Sequence, residues 1–412
     1  MRILLSDGSG LTARQVATIL GRAGHHVEAV TAGRLPITRF TRHVRRLNVL
    51  PPFGSDPLGW FEALERLLAR RPFDVLLPTQ EQVAVLALRQ SRLEAMGVQA
   101  PLPNFAALRQ VQDKLAASET LRRIGLAQPS FAVASDQAEA RAYLGPFPVY
   151  LKAPAGTAST AVRFARDRDE MRKGAEELAA ANAFETGGIL IQAAVKGPLA
   201  MVQAVFQHGR LLASHANLRV REGAGGGAAV KESLDIPAVR RDLGRLGAAL
   251  EWNGALSLDA ILTSEGPLYI DVNPCIVEPM NALASGVDLL DALLSVAFSE
   301  DADAQLTGRT GVRTHQGLLA LLGAAGSGGR REVCKTLVDL AGQRGDFAMS
   351  TEELTPSQGD LMSLVPLGAV ALAVLLSPAS WRLFSHGAVS RYALAADGWR
   401  AILRAAQDGT AL

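Results

Sequence analysis

Cysteine is nearly absent from this 412-residue chain, which holds only Cys275 and Cys334. Neither has a second ligand at metal-binding spacing, so a disulfide framework or a zinc site has no support. Net charge is also missing. Lys and Arg total 42 against 40 for Asp and Glu, and the resulting +2 supplies no field to hold nucleic acid. The apolar run Met1-Arg2-Ile3-Leu4-Leu5 meets Ser6-Asp7-Gly8 too soon for a signal peptide, which predicts a cytoplasmic protein. No internal repeat is found. Apolar residues, by contrast, make up 48% of the chain against 20% charged. That is enough to bury several cores in two to four domains, and too much for disorder.

Residues 2–6 read as a buried strand, 11–23 as a helix and 27–31 as a second strand, a β-α-β unit. A helix over 60–70 feeds a strand at 74–78, and Thr79 and Gln82 have the spacing of a capping box for a further helix. Asp113 is the expected N-cap of a helix over 114–124, which Gly125 and Pro129 stop before a strand at 130–134. From 147 to 273 short strands alternate with helices near 169–181 and 237–250, interrupted by the small-residue stretch 223–229. Beyond about 305 the pattern is helical. The expected fold class is therefore α/β and α+β, with a Rossmann-like domain over 1–103, an α+β domain over 104–305 and a helical accessory module over 306–412.

Three segments carry residue types suited to chemistry. The loop Gly8-Ser9-Gly10-Leu11-Thr12-Ala13 fits the dinucleotide fingerprint G-x-G-x-x-A between a strand and a helix. The acidic residue that should end the second strand is missing, because Thr31-Ala32-Gly33 stands there and Glu28 comes too early. A tight turn that lines a substrate pocket is the alternative.

The second segment is a hairpin, 255–262 and 268–274 around Thr263-Ser264-Glu265-Gly266-Pro267. A three-residue turn would set Thr263 opposite Pro267 and hence Asp259 opposite Asp271. Alternation then puts Leu268, Ile270 and Val272 on one face and Asp271, Asn273 and Asp259 on the other. Carboxylates facing each other repel unless a cation lies between them, and hard oxygen donors suit Mg²⁺, with Mn²⁺ as a substitute. The bland reading is a solvated face. The third segment, Phe147-Pro148-Val149-Tyr150-Leu151-Lys152, ends in a lysine beside a run of small residues over 153–161. The backbone N–H groups of such a run can wrap phosphates. Lys114, inside the start of a helix, is a second candidate phosphate contact or a plain surface lysine.

These pieces occur in the order found in the ATP-grasp superfamily, which residues 1–300 resemble. The matching elements are Asp113-Lys114, the strand Pro148 to Lys152 before a small-residue flap, the hinge Ile189-Leu190-Ile191-Gln192, and Asp259 with Asp271-x-Asn273-Pro274. The stretches 218–233 and 282–288 look like the subgroup related to carbamoyl-phosphate synthase and carboxylate–amine ligases. The resemblance implies a two-lobed nucleotide domain. It further implies that Lys114, Lys152 and the flap residues Gly156 and Ser159 hold ATP phosphates. Gln192 and the backbone of Ala193 to Val195 would meet adenine. Asp259, Asp271 and Asn273 would bind Mg²⁺, and Arg219, Arg221 and Lys231 would face the reacting carboxylate. Phosphoryl transfer asks mainly for positioning and charge neutralisation, so no Ser-His-Asp set is needed.

The chain departs from the superfamily pattern in Ala193 after the hinge Gln, in a flap with the single glycine Gly156, and in Cys275 where an Arg usually follows Asn-Pro. The implied activity is ligation of a small-molecule carboxylate to an amine-type nucleophile through an acyl phosphate. The alternatives are carboxyphosphate or carbamoyl-phosphate chemistry, and a nucleotide-binding regulator or scaffold. A homodimer is compatible with all of them. His25, His26, His208 and His215 read as ordinary surface or core residues. Residues 361–381 hold no charge, but Pro366, Pro378 and three serines interrupt them. They read as a packed or partner-facing helix in preference to a membrane-associated one.

Overall fold

The computed structural model describes residues 1–154, 161–384 and 393–409. Its three main sheets are each built from consecutive strands. The first contains β1 (Arg2–Leu5), β2 (His26–Thr31), β3 (Val44–Val49) and β4 (Val75–Leu77), all parallel, in the order β3-β2-β1-β4. Leu4 packs toward Trp60 and Phe61 of the helix Pro57–Arg70, while Ile3 and Leu5 pack toward Val16, Ala17 and Leu20 of the helix Leu11–Arg22. Cover on both faces is why β1 needs an unbroken apolar run. The expected capping box is not formed. Thr79 instead exchanges hydrogen bonds with the Asp7 backbone, and Gln82 Oε1 accepts from the Ser6 hydroxyl at 3.3 Å. Both side chains tie the end of β1 to the segment after β4, and the helix Val83–Leu88 starts without a side-chain cap.

The second sheet contains β5 (Phe131–Ala134), β6 (Val149–Lys152), β7 (Val162–Ala165) and β8 (Ile189–Ala193), antiparallel, in the order β5-β8-β6-β7. Val149, Leu151, Ile189 and Ile191 cover the helix Arg168–Ala180 through Met171, Ala175 and Leu178. Strand alternation leaves Tyr150, Lys152, Leu190 and Gln192 on the opposite face. The helix Lys114–Ile124 precedes this sheet, capped by the Asp113 carboxylate accepting from Ala116 N at 2.8 Å. Gly125, at φ 75°, ends it in the left-handed region, where a side chain would be strained.

The third sheet contains β9 (Leu199–Gln207), β10 (Arg210–Glu222), β11 (Ala228–Leu234), β12 (Gly254–Thr263), β13 (Gly266–Asn273), β14 (Arg313–His315) and β15 (Ser350–Glu352). Their order is β13-β12-β9-β10-β11-β14-β15, antiparallel except for β14 with β15. Val202, Ala216, Leu258, Ala260, Tyr269 and Val272 turn one face toward the helix Pro237–Leu250, in the same continuous core as Leu4 and Trp60. The helix Ala396–Gln407 returns to that core with Trp399 and Ile402. Burial of one such large side chain is worth about 1.5–3 kcal/mol, so this shared core ties the first and third sheets firmly. The strands β14 and β15 lie in the region that reads as helical. Three residues are too few for alternation to show.

The region after β14 also closes back on the first sheet's domain. Asp360, almost fully buried, accepts from Thr41 Oγ1 at 2.5 Å and pairs with Arg14 at 3.4 Å. The helix Leu364–Leu376 packs Val370 and Val374 against Leu321 and Leu322 of the helix Gly317–Ala341. Its other face is uncovered among the described residues. Among the described residues, no helix is long and apolar enough to cross a membrane.

Candidate active site

The hairpin of β12 and β13 sets Asp259 directly opposite Asp271, and Ser257 opposite Asn273. The expected pairing is found, but its route differs. Thr263 pairs with Gly266, one residue short of the expected Pro267, and a bulge at Ile270 then restores the count. The bulge also changes the expected faces. Tyr269 and Val272 enter the core, whereas Leu268 and Ile270 stay only partly buried. An extra residue in one strand shifts the alternation on either side of it, which explains the change.

The polar face continues across the sheet. Ladder pairing runs Asp271, Asp259, Met201, Asn217 and Ser233 in one row, and Asn273, Ser257, Gln203 and His215 in the next. Several buried polar atoms here have no partner within the protein, namely Oε1 of Gln203 and both side-chain polar atoms of Asn217. Such orphans are costly unless a ligand or water meets them. Asn217 and Gln203 are functional candidates that sequence reasoning missed. The alternation His215-x-Asn217-x-Arg219 in a strand was the available signal.

The second sheet supplies the facing side. Lys152, Leu190 and Gln192 on its open face are 6%, 1% and 2% exposed, and Gln192 Nε2 is another unpartnered buried atom. Lys152 Nζ donates to the carbonyl of Ile270 at 2.7 Å. Lys114 Nζ donates to both carboxylate oxygens of Asp271, at 2.9 and 2.8 Å. Lys114 is thus no plain surface lysine.

The electrostatics follow from this crowding. Burial, and then the neighbouring Asp271 charge, push the Asp259 carboxyl up to about 7. Burial acts on Asp271 in the same direction, but Lys114 and Lys152 outweigh it and hold that carboxyl below its ordinary value. Burial pushes the Lys152 ammonium down to about 8, with the Asp271 carboxylate opposing. Burial also acts to lower Lys114, but the Asp271 carboxylate raises it overall. A carboxyl held near neutrality for want of a counter-ion, opposite a second carboxylate, fits a divalent cation. Among the described residues no group of three His, Cys, Asp or Glu could hold a metal. The donor set therefore suits a cation that brings further ligands with it, as Mg²⁺ does when bound to phosphates, and not a closed protein cage.

The three residues expected near the reacting carboxylate separate. Arg219 and Lys231 are ladder partners on the polar face, and the charge of Arg219 acts on Asp259. Arg221 leaves this face because a bulge at Val220 pairs it with Val230. Its guanidinium lies over the Phe347 ring, 5.1 Å from the centroid, and donates to Thr336 Oγ1 at 3.0 Å. Lys231 is 1% exposed and forms ion pairs with Glu278 and with Glu353, the latter at 2.6 Å. Gln15 and Gln316 each donate to Glu353 at 2.9 Å, and Gln316 donates to Glu278 at 2.7 Å. Glu278 itself has φ 45°, an uncommon left-handed conformation for a side chain-bearing residue. Lys231 is thus joined to residues of the first helix and of the C-terminal region, a link that sequence reading did not anticipate.

The remaining candidates resolve individually. In the Gly8–Gly10 loop, the N–H groups of Ser9 and Gly10 donate to the Asp7 carboxylate at 2.7 and 2.9 Å, so those donors are already engaged. Glu28 is fully buried and accepts from Arg71 at 2.7 Å and Asn48 at 3.0 Å, a structural role incompatible with ribose binding. Ala193 N and Ala194 N donate within the sheet region, to Ser130 O at 2.8 Å and Pro148 O at 2.9 Å. Val195 follows the end of β8. Gly156 and Ser159 lie outside the described residues. Burial pushes the Cys275 thiol up to about 12, which rules out a reactive thiolate. His215, pushed down to about 4 by burial, is bonded to Asn281 at 2.8 Å as a core histidine.

No protein-family model and no curated protein matches the sequence. Solved structures do match. The biotin carboxylase domain of the 2-oxoglutarate carboxylase of Hydrogenobacter thermophilus, solved with MgADP, ADP and bicarbonate, superposes with TM-score 0.59 at 19% identity. The match covers 76% of this chain and 73% of that one. The N5-carboxyaminoimidazole synthetase of Staphylococcus aureus gives 0.58 at 12% identity over 76% and 82% of the two chains. The L-amino acid ligase of Bacillus licheniformis gives 0.54 at 17% over 72% and 73%. The chain has the ATP-grasp fold.

Proposed function

We propose that this protein is an ATP-dependent ligase that activates a small-molecule carboxylate as an acyl phosphate and transfers the acyl group to an amine-type nucleophile, releasing ADP and phosphate. The observation that carries this reading is the Asp259–Asp271 pair with Lys114 and Lys152 beside it, faced by Gln192 on the second sheet. The organisation is a Rossmann-like domain over 1–103 and a nucleotide domain over 104–305, with the region over 306–412 joined to both, since β14 and β15 extend the third sheet and the helix Ala396–Gln407 packs into the core with Trp60. The place of action is the cytoplasm, where ATP and Mg²⁺ are abundant.

In this reading Asp259, Asp271 and Asn273 would hold Mg²⁺, which would supply charge neutralisation for phosphoryl transfer. Lys152 and Lys114 offer ammonium groups to the same phosphates. Gln192 Nε2, unpartnered in the protein, offers a donor to the base, and the chain around Val195 offers backbone groups. A carboxylate oxygen attacks the γ-phosphorus while the bond to ADP breaks. The amine then attacks the acyl carbon, phosphate leaves with the bonding electron pair, and the proton lost by the amine passes to the departing phosphate. With Cys275 at the usual Arg position, the task of supporting the phosphoryl group falls to Arg219, whose charge already acts on Asp259. Arg221 has no part in this.

A second reading takes bicarbonate as the carboxylate, favoured by the likeness to a domain solved with bicarbonate. One experiment addresses both: phosphate release from Mg-ATP with amino acids, other small acids and bicarbonate, each with and without amines. Release that requires one acid and one amine supports ligation. Release with bicarbonate alone supports the second reading. Tight nucleotide binding with no release under any condition would replace both with a regulatory or scaffold role.

A further inference from the structure

The outer face of the helix Leu364–Leu376 is apolar and, among the described residues, uncovered. Val365, Leu372 and Leu376 are 45%, 60% and 69% exposed, whereas Val370 and Val374 are buried on the opposite side. These three positions are four and seven residues apart and therefore form one stripe along the helix. Leu361 and Met362, just before the helix in sequence, and Leu383 and Phe384, just after it, are exposed as well. Eight exposed large apolar side chains fall within residues 361–384. Contiguous apolar surface of this kind marks a docking site.

The surrounding charge identifies the occupant. Residues 361–396 contain no Asp or Glu, and their charged side chains are Arg382 and Arg391. Arg330 donates to the carbonyls of Leu375 and Leu376, both at 2.7 Å, so a guanidinium stands at the C-terminal end of the stripe. Arg382 lies over the Trp381 ring, next to exposed Leu383 and Phe384. An acid-free apolar face edged by guanidinium and indole complements a bilayer with anionic headgroups. Leucines enter the acyl boundary, and the arginine and tryptophan heads remain among the phosphates. A second copy of the same face would bring arginines against arginines.

We propose that the exposed face of the helix Leu364–Leu376 docks the protein on an anionic membrane surface, lying in the interface without crossing it. This inference is independent of the ligase reading. The test is co-sedimentation of the full chain with vesicles of phosphatidylcholine alone and of phosphatidylcholine with phosphatidylglycerol at about 3:1. The expected result is binding to the anionic vesicles about tenfold or more tighter than to neutral ones, weakened as salt rises from about 0.1 to about 0.5 M. The double substitution Leu372→Glu with Leu376→Glu should reduce binding about tenfold or more, with unchanged melting temperature because both side chains are already solvent-exposed. Arg382→Ala should weaken binding to the anionic vesicles alone. Three results would overturn the proposal: no sedimentation with anionic vesicles, equal sedimentation of the double variant, or a concentration-dependent dimer that the double variant dissolves.

Discussion

Lys152 donates its ammonium proton to the carbonyl oxygen of Ile270 at 2.7 Å, and Ile270 is the bulged residue between Tyr269 and Asp271 in the β12–β13 ladder. A residue inside a regular antiparallel ladder would commit its carbonyl to the sheet or turn it to the far side. The bulge releases it, and the second sheet's lysine is thereby fixed beside the carboxylate pair of the third. One inserted residue thus keeps Asp259 opposite Asp271 and anchors the lysine that serves them.

Lys152 should make nucleotide binding sensitive to alkaline pH. Burial pushes its ammonium down to about 8, so it is cationic below that pH and loses its charge as pH rises through it. The affinity of the protein for ATP should fall roughly fivefold between pH 8 and 9, the loss expected for one titrating group whose charge binds the ligand. Lys152→Arg keeps the charge and should flatten this profile, while Lys152→Ala should weaken binding at all pH values and abolish turnover. Equilibrium binding of ATP across pH checks all three. A flat wild-type profile would remove Lys152 from the phosphate site.

Asp271→Asn should lower the rate of ATP-dependent phosphate release by about 100-fold or more, through lost charge stabilisation in phosphoryl transfer. The structure adds a second effect. Asp271 is also the bidentate partner of Lys114, so the variant leaves that ammonium without a carboxylate. Stability should fall by about 1–3 kcal/mol, read as a lower urea midpoint. A rate loss without a stability change would mean that Lys114 finds another acceptor.

The hairpin shows how much of this was legible in the sequence. Counting back from the turn reached the pairing of Asp259 with Asp271, but through a turn one residue too long, and the bulge at Ile270 cancelled the difference. Bulges leave little trace in a pattern of period two. A second bulge, at Val220, is what removed Arg221 from the site although Arg219 stayed in it. Lys114, Lys152 and the aspartates carried local signals, a cap, a strand end or an unusual polar residue in a strand, whereas Gln192 was reached through the family resemblance alone. Glu353 carried none, because it reaches Lys231 across 122 residues of sequence. Three strands of the first sheet were the easiest to see, since full burial forces runs such as Ile3-Leu4-Leu5, whereas β3, mostly exposed at the sheet's edge, carries no such run and was missed.

Asp259→Asn should stabilise the nucleotide-free protein at alkaline pH. The folded-state carboxyl is raised from 3.8 to about 7, so the unfolded chain releases this proton at lower pH than the folded one. A raised carboxyl contributes stability that is intact below about 4 and is lost as pH climbs through about 7. The asparagine has nothing to titrate. Its melting temperature should match the wild type below about pH 4 and exceed it by a few degrees near pH 8, provided Mg²⁺ and nucleotide are absent. Adding Mg-ATP should reverse the order at pH 8, because the cation favours the ionised wild-type carboxylate. Thermal unfolding at the two pH values decides the matter, and a lower melting temperature for the variant at pH 8 without ligand would contradict the account.

Lys231→Met should be the most damaging single substitution among the site residues, for a reason separate from catalysis. Lys231 is 1% exposed and Glu353 is fully buried, and together with Glu278 they form a compact ion cluster. Burial alone would lower the Lys231 ammonium, but the two carboxylates outweigh it and hold it above its ordinary value. Removing it leaves the buried Glu353 carboxylate beside that of Glu278, with the amides of Gln15 and Gln316 and the hydroxyl of Thr314 as its side-chain donors among the described residues. Breaking a buried pair from one side costs about 3–5 kcal/mol, while replacing both sides costs far less. Accordingly Lys231→Met should lower stability by about that amount, and adding Glu353→Gln should recover a large part of it by removing one of the stranded charges. Because Gln15 belongs to the first helix and Glu353 to the segment after β15, the loss should also loosen both from the third sheet. Hydrogen exchange should therefore rise in the helix Leu11–Arg22 and around β14 and β15 before it rises in β9 and β12. Additive destabilisation by the two substitutions, with no recovery in the double variant, would show that the cluster does not act as a unit.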